Sequence, residues 1–568
     1  MSSGAPTREV VPGGAQHITA RDQATQYIVQ HGNLYVGGPP NYRVDGFRAP
    51  RRDVPPSRLL AARYQVVDFT GREHELAELA AWRDDSELGL AVRLVHGPGG
   101  QGKTRLAAEF GQRCAKLGWT VAQAMHRSYP GAPTAALDPA QVTDSSGLLL
   151  IVDYAERWPI SDLLALVQDS LLRTRLPTRV LLLSRPAGGW RDSLSHWLAD
   201  ADIFTDQMPL KALAGTVATR TAVFTAARDC FAALLHVPEP ARIPAPERLE
   251  EDAFGLVLTV HMAALAAVAA HAGGESAPSD PAALSAYLLK RERAHWQAMY
   301  DNGHQVPTPP TMMARAVFIA TLTRPQPHPN GVAALRRVGI PDPEQVLDDH
   351  RLCYPPADPA TVCEPLYPDR LGEDFLALST PGHTHTTYQP DPWAGTAIAD
   401  LLGPTESTDG EQRLPDYSPQ AITVLIETAR RWPHIAQCQL FPLLRKKPRL
   451  ALVAGGSALT RLAGLPNVDL DVLESIEPLL PTGRHVDLDL AIAAITSRLT
   501  QHRLAATTDP AIRAELHFAL GYRLAHAGRH EDALTAITEA LTRYRRLAQT
   551  NPAAHEPDLA DSLNNLGM

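Results

Sequence analysis

A chain of 568 residues with 53 Lys+Arg against 62 Asp+Glu carries a formal net charge of -9. That leaves room for roughly three or four domains with cores of their own, and no global basic surface of the kind nucleic acid requires. The five cysteines, Cys114, Cys230, Cys353, Cys363 and Cys438, are scattered and form no C-x-x-C pair, so neither a zinc site nor a disulfide framework is indicated and a reducing, cytoplasmic setting is expected.

Residues 1–14 lack the apolar core of a signal peptide. The one membrane-length run free of Asp, Glu, Lys and Arg, 253–274, is rich in alanine and holds His261 and His271, which points to a buried helix and no membrane partner. Residues 1–60 are dominated by Gly, Pro, Arg and Ser and read as a flexible tail. Within it, 24–36 has two β-prone runs around a His-Gly-Asn turn, without charge or proline. Such a segment suits a hairpin or intermolecular cross-β stacking. Its residues 29–32, Val-Gln-His-Gly, resemble the core of short amyloid signalling motifs at the N-termini of some immune signalling proteins. That resemblance implies a separate effector contacted through this segment, and a plain hairpin or linker remains the other reading.

The most specific stretch is 94–104, Leu-Val-His-Gly-Pro-Gly-Gly-Gln-Gly-Lys-Thr. It fits the phosphate-binding loop G-x-x-x-x-G-K-[ST], with Gly97, Gly102, Lys103 and Thr104 in the fixed places. The glycines let backbone N–H groups converge on phosphate oxygens, Lys103 supplies a point charge, and Thr104 is placed for Mg²⁺. The binding set is therefore Gly97, Pro98, Gly99, Gly100, Gln101, Gly102, Lys103, Thr104 and Arg105. An apolar run at 88–95 precedes the loop and an amphipathic run follows from Arg105, the strand–loop–helix order that the chemistry needs.

Upstream, 69–76 reads Phe-Thr-Gly-Arg-Glu-His-Glu-Leu. It resembles the F-x-G-R-E-x-E-L entry of AAA-like and STAND ATPases (signal transduction ATPases with numerous domains). The resemblance implies that Gly71 and Arg72 lie at the base edge and that Glu73 caps the next helix. Downstream, 119–125 reads as a strand, and 148–152 is five apolar residues ending at Asp153, the pattern of a buried parallel strand with a carboxylate at its C-terminal edge. Asp153 stands where a Walker B acid holds Mg²⁺ opposite Thr104. Tyr154 follows it in place of the Glu of many AAA ATPases, and Glu156 corresponds to the acidic position of NACHT-type proteins that orients or deprotonates the attacking water. A helix at 161–173, a strand at 179–185 and a fifth strand at 206–213 complete the core. Arg185 resembles the sensor arginine of NB-ARC proteins, which reports the γ-phosphate.

Residues 214–300 read as an Ala-rich helical lid, in which Gly255-Leu-Val-Leu lacks the Gly-x-Pro of STAND proteins. Helices at 312–323, 332–338 and 343–350, followed by an irregular or β wing that includes 365–375, suggest a winged-helix domain. That last segment resembles the P-L-x-P-D-x-L-G-E seen in STAND proteins, where the domain sits against the NTPase and holds ADP. After a linker at 381–417, 418–568 reads as an α-solenoid. Leu520, Gly521, Gly528, Ala533, Ile537 and Ala540 fall at tetratricopeptide spacings, and the Leu-Gly pair recurs at Leu566 and Gly567.

The resemblance as a whole is to a STAND-class P-loop ATPase (NACHT/NB-ARC-like) with tetratricopeptide repeats. It implies an α/β P-loop core with a parallel sheet (61–213), a helical lid (214–300), a winged-helix domain (301–380) and an α-helical TPR-like superhelix. The cofactors implied are ATP/ADP and Mg²⁺. Lys103, Asp153, Glu156 and Arg185 would carry slow hydrolysis, the repeats would bind a protein or peptide, and activation would bring self-association in a setting of bacterial defence or stress signalling. A winged-helix DNA-binding regulator, for which 312–350 offers only Arg315, Arg336 and Arg337, and a non-hydrolysing repeat scaffold are the rival readings.

Overall fold

The computed structural model describes residues 42–46, 58–126, 145–169, 172, 176–185, 189–200, 203–213, 215–301, 306–406 and 412–566. The segment 24–36 and Gly567 lie outside them. The strands β1 (Tyr42–Gly46), β2 (Leu90–His96), β3 (Thr120–His126), β4 (Leu148–Val152), β5 (Thr178–Ser184) and β6 (Phe204–Pro209) form one sheet in the order β1-β3-β4-β5-β2-β6. Five strands run parallel, while β1 pairs antiparallel on the β3 edge. The span 1–60, expected to be a flexible tail apart from the β-prone 24–36, thus contributes an edge strand at Tyr42–Gly46. The fifth strand begins earlier than the apolar pattern suggests, because none of its residues Phe204–Gln207 is buried at the sheet edge beside β2.

Strand β4 shows why a continuous apolar run builds such a sheet. Leu148, Leu150 and Val152 enter one core while Leu149 and Ile151 enter the other, so both faces are covered. Helices α1 (Glu73–Asp84) and α2 (Lys103–Lys116) cover one face through Leu79, Trp82, Leu106 and Phe110. Helices α3 (Ile160–Gln168) and α4 (Gly189–Asp200) cover the other through Leu163, Trp190 and Leu198. Because β5 lies between β2 and β4, the phosphate loop after β2 and Asp153 after β4 open toward one crevice at the C-terminal strand ends.

The lid is built from α5 (Val217–Leu234), α6 (Val257–Gly273) and α7 (Pro281–Asp301). Helix α6 covers most of the alanine-rich run and is buried from Thr259 to Ala270 except at His261; among the described residues no helix is long and apolar enough to cross a membrane. Next come α8 (Pro310–Thr323), α9 (His328–Arg337) and α10 (Pro343–Cys353), with a two-residue antiparallel ladder between β7 (Gln326–Pro327) and β8 (Thr361–Val362).

The stretch 365–375, expected to be an irregular wing, mostly forms the start of helix α11 (Asp369–Ser379), in which every residue but Arg370 is buried. Its apolar residues, Leu371, Phe375, Leu376 and Leu378, fall at helical spacing, and its acids are matched by distant arginines that no local pattern reveals. The expected linker 381–417 holds a helix, Ala394–Leu401, whose Ala394, Ala397, Ile398 and Leu401 join the main helical core. That core runs without a break from Leu59 through the lid to Leu499.

Further on lie α12 (Ser418–Arg431), α13 (Gly455–Ala463), α14 (Asp489–Ala506), α15 (Pro510–His526), α16 (His530–Thr550) and α17 (Pro552–Leu566). Gly521 lets α15 and α16 approach: a Cβ there would stand 2.4 Å from Ile537 Cγ1. The hairpin then docks on the sheet domain, where Leu524, Ala527, Ala533 and Ala536 share a core with Trp190, Leu194 and Leu198.

Candidate functional site

Strand β2 delivers the chain to Gly97, and the loop curls through Gly100 (φ 85°) and Gly102 (φ 87°), left-handed conformations that glycine adopts at little cost. Helix α2 begins at Lys103, so its positive end faces the loop. Lys103 Nζ donates to Gly97 O (2.6 Å) and Pro98 O (3.0 Å). Burial lowers its pKa to about 8, against the pull of Glu156 and Asp153. Thr104 Oγ1 donates to Asp153 Oδ2 at 2.8 Å, and the backbone N–H of Tyr154 to Asp153 Oδ1 at 2.9 Å. The Asp153 carboxyl is raised to about 6, chiefly by burial.

A half-buried carboxylate beside a hydroxyl, next to a loop of phosphate-binding pattern, is a donor set that fits Mg²⁺, whose charge would reverse the effect of burial. The loop borders a cavity of about 450 Å³ that also reaches Asp153, Glu156, Arg185 and the lid.

Arg72 lines this cavity, but its guanidinium is committed to Glu75 (2.6 Å) and to Gln101 O (3.3 Å), so it braces the loop. Gly71 takes φ 74° and lies against Leu213. Glu73 opens α1 without a side-chain cap bond. Arg105 donates to Val67 O at 2.7 Å and anchors the segment before Gly71. The lid reaches the loop through backbone groups, which do not require the missing proline: Leu258 N–H donates to Gly100 O (3.0 Å) and Gln101 Nε2 to Gly255 O (3.3 Å).

The opposite wall comes from the C-terminal half. Arg185 Nη1 meets Glu427 Oε2 at 2.5 Å, and its Nη2 meets Glu373 at 3.1 Å and Asp369 at 3.6 Å. Asp369 also receives Arg157 (2.8 Å) and Arg324 (3.0 Å). Burial alone would raise the Asp369 carboxyl, yet Arg324, Arg157 and Arg185 hold it well below the usual carboxylate range. Glu156 is fully buried, with Oε1 3.1 Å from Arg461 Nη2, and Arg461 also pairs with Glu427.

Every predicted site residue therefore borders or approaches one cavity, but Glu156 and Arg185 face protein partners. Asp369 and Glu373 lie in the P-D-x-L-G-E segment that the sequence singled out. Glu427 and Arg461 carry no local signal, since each is an ordinary charge on an amphipathic helix.

No family model matches the chain, and no curated protein matches it. Among solved structures, it is similar to the Aeropyrum pernix ORC2 protein in ADPNP–ADP complexes, at 17% identity over 63% of this chain and 93% of that one, with a TM-score of 0.30. It is also similar to a Pyrococcus horikoshii STAND protein with a tetratricopeptide repeat sensor, at 12% identity over 88% of this chain and 80% of that one, with a TM-score of 0.28. Likeness at these TM-scores carries no argument about this chain, so the site geometry has to.

Proposed function

We propose that the chain is a nucleotide-dependent switch and slow ATPase of the STAND kind, seen in its closed form. The observation that carries this reading is that the two groups suited to act on a γ-phosphate, Glu156 and Arg185, are both held by ion pairs from the C-terminal half. An enzyme in continuous turnover gains nothing from burying its base against a guanidinium. A switch does, because hydrolysis and assembly then wait on release of that half.

In this reading the loop N–H groups and Lys103 hold the ATP or ADP phosphates. Mg²⁺ on Thr104 and, through water, Asp153 supplies charge neutralisation. Glu156, once free of Arg461, orients the attacking water or takes its proton, and Arg185, once free of its acids, reaches the γ-phosphate. A protein or peptide bound by the repeats loosens the docking, ATP replaces ADP, and chains associate so that N-terminal segments cluster for an effector. The order α8-β7-α9-α10-β8 supports the winged-helix reading of 301–380. A role on DNA has less support, because Arg315 is paired with Asp391 and Arg337 is bound to the carbonyls of Asp400, Gly403 and Pro404.

The test is the nucleotide carried by purified protein, together with ATP turnover and oligomeric state of wild type, Lys103→Ala and Glu156→Gln. Bound nucleotide in wild type, its loss in Lys103→Ala and a large loss of turnover in Glu156→Gln are expected. Binding without turnover, even in assembled protein, would sink the switch in favour of a scaffold with structural nucleotide.

A further inference from the structure

The cavity beside the phosphate loop has two ends of different chemistry. Lys103, Thr104, Asp153 and Arg185 line one end, and the ion pairs of Asp369, Glu373 and Glu427 close it. The other end runs between the segment before Gly71 and the first turns of α6, and its lining includes Leu60, Val67, Phe69, Val223 and Leu258. Phosphates on the loop leave a nucleoside only this second end to occupy. Asp68 and Thr70 line it from the segment before Gly71, whereas the lid side, Val223, Leu256, Val257 and Leu258, is apolar and suits the face of a flat ring.

One side chain is the exception. Helix α6 reads Val-Leu-Thr-Val-His-Met-Ala-Ala-Leu-Ala-Ala-Val-Ala-Ala-His-Ala-Gly, so Thr259, His261 and His271 are its polar residues. His271 is exposed and Thr259 is buried away from the cavity lining. His261 follows Val257 by four positions and Leu258 by three, which puts the three on one helix face, and all three line the cavity. The backbone bond from Leu258 N–H to Gly100 O fixes that face against the loop.

Among the described residues His261 makes no hydrogen bond, whereas the neighbouring Arg105 guanidinium is committed to Val67 O. Burial, helped by Arg105, lowers the imidazole pKa to about 4. At neutral pH it therefore presents one ring N–H donor and one ring acceptor. His261 is only half-buried, so these groups face the cavity it lines and are open to a ligand there.

We propose that His261 is the side chain that reads the edge of the nucleobase, hydrogen-bonding the base while Val67, Phe69 and Leu258 cover its faces. This rests on the nucleotide-binding reading above. It gives the lid helix a direct hold on the nucleotide at the end opposite the phosphates.

The test is equilibrium binding of ATP, ADP and inorganic tripolyphosphate to the full chain as wild type, His261→Ala, His261→Gln and Lys103→Ala. His261→Ala is expected to weaken ATP and ADP about tenfold and to leave tripolyphosphate unchanged. His261→Gln, whose amide keeps a donor and an acceptor, should recover most of the loss, and Lys103→Ala should weaken all three ligands. Unchanged ATP affinity in His261→Ala, or an equal fall for tripolyphosphate, overturns the base contact while leaving the nucleotide site standing. Wild type that binds neither nucleotide nor tripolyphosphate overturns both.

Discussion

Arg461, on helix α13, places Nη2 3.1 Å from Oε1 of the fully buried Glu156. The same guanidinium pairs with Glu427, which also holds Arg185. One arginine thus contacts Glu156 directly and reaches Arg185 through Glu427. Replacing it by Ala frees Glu156, and because an available general base contributes about 10²–10⁴-fold, basal ATP turnover is expected to rise on the order of tenfold. Phosphate release by the full-length chain checks this. Turnover equal to or below wild type, with nucleotide still bound, would remove Arg461 as a brake.

Asp369 anchors the other side of the lock through Arg157, Arg324 and Arg185. Asp369→Asn leaves three guanidiniums around a neutral group, and breaking a buried pair of this kind costs about 3–5 kcal/mol. The closed form should loosen, seen as faster release of a fluorescent nucleotide and a larger sedimentation-derived radius. An unchanged radius and release rate would mean the acid is not part of the lock. Its depressed carboxyl pKa makes the contribution present above the ordinary carboxylate range and lost only as pH falls through the lower folded value. Mild acid therefore does not open this contact.

His350 behaves differently. It is fully buried, its two ring nitrogens have no hydrogen-bond partner among the described residues, and its ring stacks on Tyr354 at 5.1 Å. Burial, aided by Arg58, lowers its pKa to about 3. The unfolded chain binds the proton more readily, so stability from this site is complete above the unfolded value of about 6.5. It falls as pH drops toward 3, by up to about 5 kcal/mol. His350→Leu should flatten the fall of melting temperature between pH 6.5 and 4, and a profile parallel to wild type would assign the acid sensitivity elsewhere.

Gly521 tests the repeat hairpin. A valine there would drive Cβ into Ile537 Cγ1 and toward Ile537 N (3.2 Å) and Ala533 O (3.3 Å), an overpacking cost of about 1–3 kcal/mol. The docking contacts of Ala533 and Ala536 on Trp190 and Leu194 should weaken with it. Limited proteolysis is expected to cut near Gly528 faster in Gly521→Val while nucleotide affinity holds. Loss of nucleotide binding as well would show that the hairpin supports the whole fold.

Much of the core was legible locally. The phosphate loop, the all-apolar 148–152 strand with Asp153 at its edge, and the small residues of the repeat hairpin each depend on neighbours within a few turns or one strand. The chain order of residue types therefore determines them. The expected wing at 365–375 and the linker at 381–417 misled, because proline and glycine near an element's ends hide a helix whose acids or apolar face are satisfied from far away.

What the sequence determined by itself is an α/β core with a loop of phosphate-binding pattern, followed by a long helical region. Only the tertiary structure decided what Glu156 and Arg185 face. Their partners are charges on distant helices, with Glu427 lying 242 residues from Arg185 and Glu373 lying 188 from it. An isolated charge on an amphipathic helix looks the same whether water or a catalytic group lies opposite, so the lock became readable only once packing brought the two ends of the chain together.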